Sequence, residues 1–339
     1  MTEALPQVIH LSGPLHVPLA HVTRGPLVES VHHGSVVVLD ADGRLEFVAG
    51  DPDAPFYPRS ALKPLQAVGM LRAGLDLHGG LLALSAASHS AEKRHLDGVL
   101  SILGGAGLSL ADLRNPADFP VDPVERAHWI AGRRKPAPVA HNCSGKHAAM
   151  LRTARNRDWP TSGYLAAGHP VQSRIEAAIT DLTGTRPAHV TVDGCGAPLF
   201  AVSLVALTRA MARIATARPG THEARLAEAM RAYPDMLAGT RRDVADLVRA
   251  VPGLIVKDGF EAVQVAALPD GRAVGVKIAD GSDRARMPVT AAALAIAGVD
   301  TATLAPFLSA PVLGGGMVVG GVRLAGAMVN RAATVGLLL

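Results

Sequence analysis

Leu27-Val-Glu-Ser-Val-His-His-Gly-Ser-Val-Val-Val-Leu39, then Asp40-Ala-Asp-Gly43, then Arg44-Leu-Glu-Phe-Val48, is the stretch that decides the fold class. The first segment alternates and is rich in Val, the second has the composition of a turn, and the third returns as a shorter apolar run, so the three predict a β-hairpin. Strands come back late in the chain. Residues 254–257, 262–268 and 272–278 predict a meander whose tightest turn is Pro269-Asp270-Gly271. The Gly-rich run 313–324 predicts a further strand, placed near the site. Between the two β regions the apolar spacing is helical, at 60–74, 92–103, 143–156, 171–182, 198–215, 221–233 and 243–251, and a last helix is expected at 286–296. Strands at both ends with helices between imply an α+β protein whose terminal strands share one mixed sheet. With no repeat and no low-complexity linker, residues 1–339 read as a single catalytic unit with a helical subregion at about 60–250.

Composition narrows the function. Of 339 residues 49% are apolar and 18% charged, enough for a large core, while aromatics are only 3%. That scarcity and a formal charge of only +4, carried by scattered Arg, argue against nucleic-acid binding. The start of the chain lacks a basic, apolar leader, and no apolar run reaches the roughly 18 residues that span a bilayer. A cytoplasmic protein without membrane contact is expected. Of 33 basic residues only six are Lys, at 63, 93, 135, 146, 257 and 277. Where Arg serves for generic positive charge, a retained Lys marks a place where a proton has to be given up, because guanidinium stays protonated. Lys93 and Lys135, in polar surroundings, read as plain surface residues.

Arg59-Ser60-Ala-Leu-Lys63-Pro64 contains Ser-x-x-Lys. Residues three apart share a helix face, so a neutral Lys63 could take the Ser60 proton and make a nucleophile. Pro64 is tolerated only in a first turn, which places Ser60 at a helix start, where amide dipoles favour developing negative charge. A capping serine with an exposed lysine is the plainer reading. Ser88, in Ser85-Ala-Ala-Ser88-His89-Ser90, ends an apolar run, and Ser90 with Glu92 reads equally as an ordinary helix start. Cys143 and Cys195 are the only cysteines, each beside glycine in a polar turn: Asn142-Cys143-Ser144-Gly145-Lys146-His147 and Asp193-Gly194-Cys195-Gly196. Metal ligation, a redox pair and a Cys143 nucleophile with His147 all remain open for them.

Taken together and in order, Arg-Ser-x-x-Lys-Pro at 59–64, Ala-Ser-His-Ser-x-Glu at 87–92, Asn-Cys-Ser-Gly-Lys-His at 142–147 and Asp-Gly-Cys at 193–195 resemble the thermolabile, Rhizobium-type (class 3) L-asparaginases, of the asparaginase II type. The resemblance implies a fold similar to serine β-lactamases and glutaminases. It implies two Ser-Lys pairs, Ser60 with Lys63 and Ser88 with a lysine of the last third, mapped to Lys257 with Lys277 as runner-up. Arg59, His89, Asp193 and Gly194 are its candidate substrate contacts. Cys143, Lys146 and Cys195 would hold one zinc ion per chain, a support to binding more than to the chemistry. It further implies L-asparagine as substrate and a homodimer. Gly196-Ala197-Pro198 and Gly314-Gly315-Gly316 depart from the family's segments and bear on the side-chain pocket. The competing readings are a β-lactamase-like acyl transferase of other specificity and a zinc-stabilised amino-acid-binding protein without catalysis.

Overall fold

The computed structural model describes residues 13–334 and Gly336. Among them are the strands β1 (Val17–Arg24), β2 (Leu27–Leu39), β3 (Leu45–Ala49), β4 (Pro55–Phe56), β5 (Val190–Val192), β6 (Pro198–Phe200), β7 (Val202–Ser203), β8 (Ile255–Gly259), β9 (Val263–Ala267), β10 (Ala273–Ile278), β11 (Ala310–Gly314) and β12 (Met317–Leu324). Eight of these form one sheet in the order β11-β12-β1-β2-β10-β9-β8, with β3 also on β2. The class is α+β, and the terminal strands share the sheet. Every pairing in it is antiparallel, so the sheet is not the mixed one expected: hairpins between successive strands are joined by two contacts, β2–β10 and β1–β12.

β2 is the organising strand. Its first half pairs β1, and its second half has β10 on one edge and β3 on the other. Side chains alternate across a sheet, so Val37 and Leu39 enter one core and Val36 and Val38 the other. The first core packs against helices Lys63–Arg72, Ser144–Asn156, Pro170–Thr183 and Leu204–Ala215. The second packs against Asp243–Ala250, Arg286–Ile296 and Ala327–Thr334. With both faces covered, the run Ser35–Leu39 is buried without interruption. At roughly 1.5–3 kcal/mol per buried aliphatic side chain, this two-sided strand anchors the fold.

Three sequence expectations change in detail. Residues 198–200 and 202–203 are strand, not helix: β6 pairs β5 and β7 pairs β4, and the helix waits until Leu204, where the Ser203 hydroxyl accepts from the Ala206 N–H. The α-helix expected from residue 60 begins at Lys63, after a 3-10 turn over Arg59–Leu62. Residues 313–324 belong to the β11–β12 hairpin, which turns on Gly315 and Gly316, both left-handed at φ +57° and +84°. It lies at the sheet edge and lines neither cavity of the site below. Helices Gly79–Ser85 and Pro123–Ala131 have no counterpart in the sequence reading. No helix among the described residues is long and apolar enough to cross a membrane.

One close approach sets the geometry of the site. The end of β8 lies directly against the Arg59–Leu62 turn, and a Cβ on Gly259 would stand 2.3 Å from the Pro58 carbonyl oxygen. Only glycine lets the strand that carries Lys257 touch the turn that carries Ser60.

Candidate active site

Ser60 sits in the 3-10 turn, buried, and lines the smaller lobe of the cleft described below. Just before it, Arg59 adopts φ +53°, a left-handed conformation uncommon for a side chain of this size. Strain of this kind persists only where surroundings hold it. Here the Arg59 Nε donates to Asp193 Oδ1 at 2.6 Å, and the guanidinium lies 5.8 Å from the centre of the Phe260 ring. Gly194 N–H donates to the same Asp193 oxygen.

Lys63, 1% exposed, opens the following helix, and its amine makes no hydrogen bond with Ser60 among the described residues. Nζ donates to Ser88 Oγ at 3.1 Å and to the Ala87 carbonyl at 2.5 Å. Ser88 is held from the other side by Lys257, whose Nζ lies 2.9 Å from Ser88 Oγ. The Ser88 backbone is fixed by its N–H donating to the Leu237 carbonyl, and the flanking His89 and Ser90 N–H groups donate to Asn142 and Ala238. Lys257 also contacts the Asp258 carboxylate at 2.5 Å, and Arg242 donates to the second Asp258 oxygen at 2.8 Å. One chain, buried as far as Asp258, thus runs Lys63–Ser88–Lys257–Asp258–Arg242.

Complete burial brings the Lys257 amine down to about 8. Asp258 opposes the shift, and the charges of Lys63 and Arg242 add to it. At about 1.4 kcal/mol per unit, the site favours the neutral amine by roughly 3 kcal/mol relative to water. Asp258 is buried too, but the charges of Lys257, Arg242 and Arg286 outweigh desolvation and hold its carboxyl far below the usual range. Lys277, the alternative to Lys257, lies elsewhere. It stands on β10 with its amine on the Glu261 carbonyl, and it lines neither cavity of the site.

His89 is fully buried. Its Nε2 pairs with Ser144 Oγ at 2.9 Å and its Nδ1 accepts from the Ala91 N–H, so both ring nitrogens serve the framework. Burial, aided by the charges of His95 and Lys63, keeps the ring neutral.

The two cysteines meet next to Ser60. Lys146 Nζ donates to Cys195 Sγ at 3.2 Å, Asp193 Oδ2 is 3.8 Å from the same sulfur, and Cys143 Sγ donates to Asn142 Oδ1 at 3.0 Å. Contact between the sulfurs splits their acidities. The hydrogen bond from Cys143 and the Lys146 charge pull Cys195 far down, while the same contact and burial push Cys143 well up. A thiol held protonated in this way is a poor nucleophile. His147 pairs with Tyr164 Oη at 2.9 Å and is held near 4 by burial. For a zinc ion the donor types fit, since two sulfurs and an amine converge with a carboxylate behind them. Among the described residues no three His, Cys, Asp and Glu side chains are grouped to hold a metal, so such a centre needs the Lys146 amine as third donor.

The cleft over these groups has two lobes. The smaller, about 240 Å³, is lined by Arg59, Ser60, Asp193, Gly194 and the two cysteines. The larger, about 630 Å³, is lined by Ser88, Arg241, Arg242, Asp258, Glu261 and Arg286. Asn142 and Phe260 belong to both and mark where the lobes join. The structure therefore brings Ser60, Lys63, Ser88, Lys257, Arg59, Asp193, Gly194, Cys143, Lys146 and Cys195 to one cleft. Sequence reasoning missed Asp258, Arg242, Asn142 and Phe260. The Lys257-Asp258-Gly259 triplet was the available signal, being of the Lys-x-Gly kind that accompanies Ser-x-x-Lys in serine acyl transferases. Nothing in the sequence marks Arg242, whose partner is 16 residues away.

The cleft brings two serines and buried lysines together, with Ser88 hydrogen-bonded to both Lys63 and Lys257. The family model described as L-asparaginase II matches residues 20–324, and the chain belongs to that family. None of the curated proteins matches it. Among solved structures it is similar to Mglu in its native form, with 17% identity over 74% of this chain and 60% of that one and a TM-score of 0.42. It is also similar to a β-lactamase (Mb2281c) from Mycobacterium bovis, with 16% identity over 74% and 88% and a TM-score of 0.39. A third is EstCE1, described as a hydrolase with promiscuous acyltransferase activity, with 12% identity over 72% and 88% and a TM-score of 0.36. The chain thus spans about 60% of the length of Mglu.

Proposed function

We propose that this protein hydrolyses the side-chain amide of L-asparagine, releasing aspartate and ammonia through an ester on Ser60, as a member of the Rhizobium-type branch. The observation that carries the reading is the Lys63–Ser88–Lys257 chain of hydrogen bonds beside a serine whose own hydroxyl is free to meet a substrate. Ser60 Oγ attacks the amide carbon as its proton passes to Lys63. The C–N bond of the tetrahedral adduct then breaks while Ser88 gives a proton to the departing nitrogen and recovers one from Lys63. Water, deprotonated by the same amine, cleaves the ester and regenerates Ser60. Lys257 holds the Ser88 hydroxyl in line and tunes its proton affinity. Arg59 and Asp193, a cation and an anion on one wall, suit the two charged ends of an α-amino acid. A homodimeric, cytoplasmic protein acting as one catalytic unit completes the proposal.

The direct test is ammonia release across L-asparagine, L-glutamine, short amides and a β-lactam. Turnover confined to the β-lactam would give the site to another acyl transfer, and asparagine binding without ammonia would leave a binding protein. The pH dependence is set by Lys257, whose amine is brought down to about 8. As pH rises through that value Lys257 loses its charge and no longer holds the Ser88 hydroxyl as a charged donor, so kcat is expected to change across pH 8. A flat profile from pH 6 to 9 would remove Lys257 from tuning Ser88.

Zinc, with Cys143, Lys146 and Cys195 as ligands, belongs to the same proposal. When bound it would supply a fixed positive charge near the substrate's polar end. Binding needs thiolates and a neutral amine, so affinity is expected to fall as pH drops. Metal analysis should find up to one zinc per chain and none in the Cys143→Ser/Cys195→Ser double variant. Full metal content in that variant would place the ion elsewhere.

A further inference from the structure

Five of the six lysines are accounted for by the cleft or by the open surface. Lys277 is the sixth, and it faces a separate cavity of about 280 Å³ on the other side of the segment that leads to Ser60. His16, Ser35, Asp51, Phe56 and Tyr57 share its walls, and none of its lining residues belongs to either lobe of the cleft.

The charges lining this cavity form no ion pair with one another among the described residues. Lys277 Nζ donates to the Glu261 carbonyl, and it forms no ion pair among the described residues. Among the described residues Asp51 accepts backbone N–H groups, from Ala54 at 3.2 Å and Leu15 at 3.5 Å. Between them stands His16, whose Nδ1 pairs with Ser35 Oγ at 3.0 Å, while that hydroxyl also accepts from the Asp51 N–H. Burial and the nearby Lys277 charge hold His16 below the usual histidine range, so it does not neutralise Asp51. Phe56 and Leu204 supply apolar wall. The cavity therefore offers one ammonium and one carboxylate, neither in an ion pair among the described residues although the Glu261 and Asp280 charges reach Lys277, in a volume near the lower end of ligand pockets.

We propose that this cavity is a second, non-catalytic site for a small α-amino acid, whose carboxylate meets Lys277 and whose ammonium meets Asp51. The size excludes peptides and nucleotides, and the paired opposite charges exclude simple anions. Two connections link it to the catalytic cleft. Tyr57 is three residues from Ser60 and reaches it through Pro58 and Arg59. The Glu261 carbonyl held by Lys277 lies in the β8–β9 turn, where Glu261 and Ala262 are both left-handed, at φ +62° and +51°, and this turn carries Phe260 into both lobes. A carboxylate arriving at Lys277 competes with that carbonyl and loosens a turn that already stores backbone strain. Occupancy of the cavity is thereby coupled to the shape of the cleft.

Equilibrium dialysis tests the site without relying on turnover. Labelled L-aspartate is used with the wild-type chain, and labelled L-asparagine with the Ser60→Ala variant, to separate product from substrate as the occupant. Asp51→Asn and Lys277→Gln, introduced into each background, are each expected to weaken one binding equivalent by about tenfold or more, with the melting temperature checked in parallel. In an otherwise wild-type chain, Asp51→Asn should keep ammonia release at low substrate within about twofold. If the chain does not hydrolyse asparagine, ammonia is absent, yet the equivalent that depends on Asp51 and Lys277 remains. Unchanged stoichiometry and affinity in both variants, or no such equivalent with either amino acid, would overturn the proposal.

Discussion

Ser60→Ala is expected to lower kcat for ammonia release by about 10³-fold or more, a loss of at least roughly 4 kcal/mol, while the melting temperature stays within a few degrees. Both halves follow from the geometry. Ser60 lines the smaller lobe, and no side-chain group is hydrogen-bonded to its hydroxyl among the described residues, so its removal orphans no buried partner. The backbone of the turn is held independently, by the Lys63 N–H on the Ser60 carbonyl and by the Ala61 N–H on Pro58. Ser88→Ala should also be severe but should destabilise as well, because it leaves two buried lysines facing each other across a void. Turnover of Ser60→Ala near the wild-type rate would move the nucleophile elsewhere.

Lys63→Arg is expected to be nearly as damaging as Ser60→Ala. It keeps the charge and matches what this chain uses at 27 other positions, but guanidinium does not accept a proton. Lys257→Arg should also be severe, because a planar and permanently charged fork does not fit where the amine touches Ser88 and Asp258. Lys93→Arg and Lys135→Arg are internal controls. Both residues are exposed, and Lys93 forms only a surface pair with Asp97, worth a few tenths of a kcal/mol. The measurement is kcat with a thermal melt for each variant. A Lys63→Arg protein that keeps more than about a tenth of wild-type kcat, a loss under roughly 1.4 kcal/mol, would reduce Lys63 to a fixed charge.

The parts of this account that were legible in the sequence are those with local causes. The β2 hairpin could be read because alternation and a turn composition lie within one stretch, and the α+β class followed from where such stretches fall. Lys63 and Lys257 could be picked out because the chain is poor in lysine. The partner of Lys63 could not. Ser60 and Lys63 are three apart, which suggests a contact, but a 3-10 turn precedes the helix, and the amine crosses to Ser88, 25 residues on. Helix 198–215 was read too long because strands β6 and β7 owe their existence to partners at 190–192 and 55–56. Phe260 is invisible to pattern reasoning for the same reason. It is a single exposed aromatic whose importance comes from a guanidinium two hundred residues earlier in the chain.

The central claim is that the reaction passes through an aspartyl ester on Ser60. Wild-type protein mixed with L-asparagine, quenched in acid within the first turnovers and mapped by peptide mass spectrometry, tests it most directly. The expected result is an aspartyl adduct on the peptide containing Ser60, absent from Ser60→Ala and formed no more slowly than ammonia is released. An adduct on Ser88 or Cys143, or steady ammonia release with no adduct on Ser60, would contradict it.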